Sequence, residues 1–299
     1  MKKGVLYGIG AYLLWGIFPI YWKLLEAVPA IQIISHRIIW SFVLLALILF
    51  ITRQWRSFRA AALSRRVVLI YLISAILLSI NWLVYIWAIN AGFVLETSLG
   101  YFINPLLSVL LGVLFVREKL RPLQWLPIGL AAIGVIYVAV SYGQFPWIAL
   151  TLAISFGLYG LVKKVAPLGS LFGLTLETGL LFLPAVAFLA VLEWQGQGAF
   201  LHVPAVSNLL MIGAGLVTTV PLLLFASSAQ RIPLSTLGIL QYINPTIAFL
   251  LGLFLFHEPF NLSLLIGFSI VWLALIIYWG ENFLASRKTR SLPVVINGS

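Results

Sequence analysis

The chain has 299 residues, 63% of them hydrophobic and 8% charged, with a mean hydropathy of +1.12. Soluble domains carry roughly a quarter charged residues, so this composition cannot build a water-facing surface. The formal net charge is +11 and cysteine is absent; the first raises nucleic acid as a partner, which charge placement below excludes, and the second removes disulfides and thiolate metal sites.

Uncharged runs such as residues 67–95 exceed the roughly 20 residues that cross a bilayer as helix. Runs this long favour helices over a β-barrel. The pattern predicts an all-α polytopic membrane protein with ten spans, at 5–24, 31–51, 67–90, 96–116, 122–142, 146–162, 170–192, 205–229, 233–256 and 262–280.

The first span follows Lys2-Lys3, as in a signal peptide. It runs on to Lys23 without a small-x-small cleavage site, so a retained helix is expected. It carries Trp15 and a kink at Pro19, and its Gly4-x-x-x-Gly8 face suits internal packing or a homodimer. Lys23 reads as an interfacial lysine with its stem in the apolar layer. The second span holds Arg37 beside His36, roughly 10 Å deep at about 1.5 Å per residue. A mid-bilayer charge costs about 3 kcal/mol. Arg37 is therefore a candidate cation for an anionic or carbonyl-bearing substrate, or a structural arginine bonded to carbonyls or reaching outward. Arg53 to Arg66 reads as an amphipathic basic loop on anionic lipid headgroups.

The third span brings Asn81, Trp82 and Tyr85 together, with Asn81 and Tyr85 on one face. In the fourth, Tyr101, Asn104 and Ser108 share a face; in the ninth, Gln241, Asn244 and Ala248 do. Amides beside aromatic rings suit an amphipathic small molecule, and equally suit hydrogen bonds between helices. Pro105 and Pro245 each free a carbonyl one turn back, near Tyr101 and Gln241. That is tolerable where a helix lines a cavity. Pro221 would kink the eighth span similarly. Glu177, in the seventh, is the only carboxylate well inside a span, and the chain has no Asp. It is a candidate proton carrier, or a partner for Lys163 or Lys164. Residues 285–299 read as a disordered cytoplasmic tail.

Of the 18 Lys and Arg, all but Lys23 and Arg37 fall in the terminal segments and alternate loops. The opposite loops ("LLEAVPA", "NAGFVLE", "SYGQF", "EWQGQGAFLHVPAVSN", "HEPFN") have none. This asymmetry places both termini in the cytoplasm and makes the lipid bilayer the partner, not nucleic acid. Asn-Pro recurs 140 residues on, at 104 and 244, together with Leu-Leu-Gly and a glutamate (Glu118, Glu258); "SLG" (98–100) and "TLG" (236–238) match only at 138. Five spans per copy is an odd number, so the second copy enters from the opposite side, as the reversed charge around Glu118 and Glu258 requires. Inverted repeats of this kind, residues 1–142 and 143–284 here, place a substrate near the midplane between them.

"AYLLWGIFPIYWKLL", "SHRIIWS", "NWLVYIWAIN" and "ETSLGYFINPLLSVLLGVLFVREKL" resemble the RarD group of EamA-type transporters, in the drug/metabolite transporter superfamily, from about residue 4 to 280. The resemblance implies ten helices in two inverted repeats around a central cavity, small metabolites or drugs as substrates, and an association with chloramphenicol.

No GxSxG, HExxH, Walker A lysine or GxGxxG is present, and His36, His202 and His257 are too dispersed for a metal site. No cofactor and no enzymatic activity are expected. The expectation is a secondary transporter of the inner or plasma membrane, exporting small amphipathic molecules by alternating access, with protons as a candidate coupling ion. An importer or facilitator for amino acids or related metabolites, and a receptor or lipid-handling protein using the same cavity, are the alternatives. The expected substrate residues are Trp15, Arg37, Asn81, Trp82, Tyr85, Tyr101, Asn104, Gln241 and Asn244, with Glu177 for proton coupling.

Overall fold

The computed structural model describes residues 2–91, 93–255 and 262–290. In chain order the helices are α1 (Lys2–Lys23), α2 (Ala30–Ile51), α3 (Trp55–Ala62), α4 (Arg65–Asn90), α5 (Val94–Leu114), α6 (Trp125–Tyr142), α7 (Trp147–Val165), α8 (Ser170–Trp194), α9 (Ala205–Ala229), α10 (Leu234–Gln241), α11 (Ile243–Phe254) and α12 (Leu262–Arg290). There is no strand among the described residues. Nine helical stretches, α10 and α11 counted as one, are long and apolar enough to cross a membrane, and a shorter apolar stretch, Leu265–Glu281, lies within α12. The protein is an all-α polytopic membrane protein.

The sequence sets the helix ends locally. Pro29, Pro146, Pro204 and Pro233 stand immediately before α2, α7, α9 and α10. A residue without an N–H sacrifices no ladder bond there, and its fixed φ starts the first turn. Gly143 ends α6 with φ of 76°, the left-handed cap glycine adopts without strain.

The helices pack in an exchanged pattern. α5 lies against α7 as α1 lies against α10 and α11. α1 lies against α9 as α7 lies against α4, and α2 lies against α9 as α8 lies against α4. The remaining extensive contacts join α2 with α8, α5 with α10, and α6 with α12. The result is two helix sets, α1–α6 and α7–α12, that swap partners. Small residues permit the closest approaches: a Cβ on Gly238 would sit 2.6 Å from the Pro105 carbonyl oxygen, so α10 crosses α5 with backbone near backbone.

Several elements depart from expectation. The ninth span is interrupted at the single residue Tyr242, between α10 and α11, with its backbone still in the right-handed helical region. α12 continues to Arg290, into the segment read as a tail; residues 291–299, and His257 and Glu258, lie outside the described residues. Within the basic loop, α3 buries Phe58 and Ala62 against protein, Phe58 meeting Phe172 at 5.7 Å between ring centroids, while its arginines stay exposed. The Gly4/Gly8 face is occupied internally: a Cβ on Gly4 would meet Ile232 and Arg231, and one on Gly8 would meet Ser228 and Leu240. It is therefore not available to a second copy. Lys163 and Lys164, expected in a loop, lie within α7.

Glu118 follows α5 and reaches the start of α10. Its carboxylate accepts the N–H of Leu234 at 2.5 Å, the N–H of Ser235 at 2.9 Å and the Ser235 hydroxyl at 2.7 Å. These donors have no partner inside the helix, and an anion at a helix N-terminus is stabilised by the dipole. Glu118 thereby clamps one helix set to the other.

Candidate functional site

The expected site residues divide into separate groups. Arg37, Trp82, Tyr85 and Tyr101 come together, joined by Trp22 and Thr218. The Arg37 guanidinium carbon lies 4.8 Å from the ring centroid of Trp22 on α1 and 4.2 Å from that of Trp82 on α4. Its Nε–H donates to the Thr218 hydroxyl on α9 at 2.8 Å. The side chain therefore does not turn outward from its position near the start of α2. It reaches inward to a residue thirteen places into α9. Two indole faces offset part of a guanidinium's desolvation, roughly 0.5–2 kcal/mol each. Among the described residues no carboxylate forms an ion pair with Arg37, and the residue is half-buried rather than sealed.

Tyr85 and Tyr101 adjoin this box. Their rings are edge-on with centroids 5.9 Å apart, and both lie within electrostatic reach of Arg37. Helices α1, α2, α4, α5 and α9 thus converge on one cation, two indoles, two phenols and a hydroxyl. Trp22 and Thr218 were not singled out in the sequence. Trp22 was overshadowed by Lys23, and Thr218 was hidden in a hydroxyl pair, Thr218-Thr219, whose position within an apolar helix was the available signal.

Asn81 is turned elsewhere. Its amide nitrogen donates to the Leu152 carbonyl at 2.9 Å and the Ser155 hydroxyl at 3.1 Å, pinning α4 to α7. Trp15 joins an aromatic cluster with Tyr12, Phe156 and Phe225, at centroid distances of 5.7, 5.7 and 5.5 Å. Asn104, buried where α5 meets α10, accepts from Ser108 at 3.5 Å. Gln241 is buried at the end of α10, and Asn244 is half-buried in the first turn of α11.

Glu177 forms a second centre. Its Oε1 accepts a charged hydrogen bond from Lys163 Nζ, with both side chains about 2% exposed or less. The ammonium also stands 5.3 Å from the Tyr71 ring and 5.2 Å from the Tyr159 ring. Glu177 Oε2 and the hydroxyls of Tyr12, Ser74 and Tyr159 are buried without a hydrogen-bond partner among the described residues. Lys163 lies in the last turn of α7 and meets Tyr71 near the start of α4, whereas Arg37 meets Trp82 further along α4, so the two centres are separated along the bundle. No cluster of three metal-ligating side chains exists among the described residues. An apolar groove of about 410 Å³ lies between α1 and α9, lined by residues such as Ile17, Phe18 and Val220; with no charged anchor, it suits lipid tails.

The profile of the EamA-like transporter family matches the chain twice, over residues 2–140 and 146–280. The chain belongs to the EamA-like transporter family. Among its relatives, an uncharacterized transporter, YojE, of Bacillus subtilis is 50% identical over 297 residues, covering 97% of this chain and 98% of the relative. Protein RarD of Escherichia coli is 41% identical over 288 residues, 96% of this chain and 97% of that protein. A chloramphenicol-sensitive protein RarD of Pseudomonas aeruginosa is 32% identical over 295 residues, 96% and 97% of the two chains. A solved crystal structure with 17% identity superposes with a TM-score of 0.66 over 93% of this chain and 97% of that one, which shows a shared fold. The protein is a RarD-type EamA membrane transporter, and its family is named for transport rather than enzymatic activity.

Proposed function

We propose that this EamA-type protein is a secondary-active exporter of small amphipathic solutes in the inner or plasma membrane, working by alternating access with both termini cytoplasmic. The observation that carries this reading is Arg37. A half-buried guanidinium without a carboxylate partner, set between Trp22 and Trp82, is an unfavourable arrangement for a structural residue and a suitable anchor for a solute. Aromatic walls with one charged and a few hydroxyl groups match the usual chemistry of small-molecule sites. Tyr101, Asn104, Gln241 and Asn244 extend the pathway along α5, α10 and α11, and the two indoles and two phenols supply its amphipathic surface.

Residues 1–142 and 143–284 act as the two inverted units. Two matches to one family profile and the exchanged helix packing support this division. The sealed Lys163–Glu177 centre closes the cytoplasmic half in this conformation, while the Arg37 box serves the outer half. Glu177, with one carboxylate oxygen unpartnered, is the proton carrier: protonation releases Lys163 and opens the inner half. The name of the Pseudomonas aeruginosa relative makes chloramphenicol a first solute to test.

The experiment is uptake or efflux in liposomes containing the purified protein, with and without an imposed pH gradient. Gradient-dependent solute flux that Arg37→Gln removes supports the reading. Specific solute binding without flux for any candidate replaces it with a receptor or lipid-handling role.

A further inference from the structure

The chemistry of the Arg37 box narrows the class of solute, on the footing that the box is the transport site. Three observations bear on it. First, the guanidinium is oriented and only partly satisfied. Nε is held by Thr218 at 2.8 Å, which fixes the plane of the group and leaves the Nη1/Nη2 edge, a two-pronged donor fork. Second, no described carboxylate answers the charge: of the buried carboxylates, Glu96 accepts the Ile148 N–H and Glu177 pairs through Oε1 with Lys163. A guanidinium fork in a low-dielectric layer is matched in geometry and charge by a carboxylate, which accepts both prongs. Third, the walls beside the fork are aromatic: Trp22 and Trp82 flank it, and Tyr85 and Tyr101 continue from it. A planar apolar body attached to the carboxylate finds ring faces and edges on which to pack.

The alternatives fit less well. A cationic amphiphile would place a second positive charge against Arg37 without a carboxylate to balance either. A neutral amide or carbonyl would accept only one prong and leave the charge uncompensated in the membrane. A bare inorganic anion would leave the aromatic walls unused.

We infer that the Arg37 box selects small aromatic carboxylates, with the carboxylate bound bidentate to Arg37 and the ring system against the Trp22, Trp82 and Tyr85–Tyr101 walls.

The test is ligand-induced thermal stabilisation of the purified full-length protein in detergent, using matched triplets. Benzoate, phenylacetate and indole-3-acetate are compared with their primary amides and with benzylamine, phenethylamine and tryptamine; chloride and inorganic phosphate are added as bare anions. At least one acid is expected to bind at least tenfold more tightly than its amide, with its amine inert and both bare anions weaker. Arg37→Gln should abolish that binding, Arg37→Lys should weaken it at least fivefold by losing the fork, and Thr218→Val should weaken it by freeing the guanidinium plane. If Arg37→Gln does not fold, Arg37→Lys and Thr218→Val carry the same comparison. Equal binding of acid and amide, preference for the amine, acid binding unchanged in these variants, phosphate or chloride binding as tightly as the acids, or no binding of any of the three acids at millimolar concentration overturns the inference. Binding is read without flux, so the two readings fail separately. Acid binding with no flux leaves this inference standing and sinks the transport role, whereas flux of neutral or cationic solutes without acid binding does the reverse.

Discussion

Tyr242 donates its hydroxyl to the backbone carbonyl of Phe102 at 3.3 Å, and the two residues are separated by the 140 positions that relate the Asn-Pro motifs. The junction of α10 and α11 is thereby tied to the backbone of α5. Just beside this bond, Gly238 meets the Pro105 carbonyl so closely that a methyl group would fall 2.6 Å from it. Gly238→Ala must push α10 from α5, because the obstacle is backbone and cannot swing away. The expected outcome is a loss of about 1–3 kcal/mol, as for other overpacked sites, read as a lower Tm. Unchanged Tm and activity would show that the crossing is loose.

Glu118 supplies another joint between the halves. Glu118→Ala removes a charged acceptor from the Leu234 and Ser235 N–H groups and the Ser235 hydroxyl. A cap of this kind is worth about 1–2 kcal/mol. Glu118→Gln should recover part of the loss, since an amide oxygen still accepts; equal losses for the two variants would argue that the carboxylate's contacts contribute little.

Asn81 and Arg37 should separate cleanly. Asn81 bonds to α7 through Leu152 and Ser155, so Asn81→Ala should lower stability by about 1 kcal/mol and leave ligand affinity within twofold. Arg37→Gln should do the opposite, removing affinity with little loss of Tm. Binding measured beside Tm on both variants decides; an affinity loss in Asn81→Ala with Tm unchanged would return Asn81 to the site.

The buried pair predicts a non-additive result. Removing one member of such a pair leaves an uncompensated charge and costs about 3–5 kcal/mol. Lys163→Met and Glu177→Gln should each lower Tm substantially, and the double variant should be more stable than either. Pure additivity in the double-mutant cycle would contradict a direct coupling between Lys163 and Glu177.

Much of the fold was legible because bilayer length and charge placement are coarse constraints that a sequence satisfies visibly. The span limits from 205 to 229 are the clearest case, since Pro204 and Arg231 bracket an uncharged run. The break at Tyr242 was written less openly. Gly100 and Gly238 differ by 138 while Ile103 and Ile243 differ by 140, so two extra residues lie between Gly238 and Ile243. Two residues rotate a continuous helix by about 200°, and the interruption at Tyr242 between α10 and α11 falls inside that stretch.

At the site, residue type was readable but direction was not. Asn81 and Trp82 are neighbours in sequence, yet one turns to α7 and the other to Arg37. Which helix a side chain meets depends on tertiary packing that periodicity does not encode. For Glu177 the sequence offers Lys163 or Lys164 as partner, and only the tertiary arrangement selects Lys163.

In the proposed cycle Arg37 anchors the transported solute and Glu177 carries the coupling proton. Its most direct measurement is solute flux in liposomes under an imposed pH gradient, for the wild type, Arg37→Gln and Glu177→Gln, with reconstitution matched by protein content. The account predicts gradient-driven flux in the wild type and neither driven flux nor exchange in Arg37→Gln. It predicts exchange without driven flux in Glu177→Gln. Driven flux that survives in both variants would contradict it.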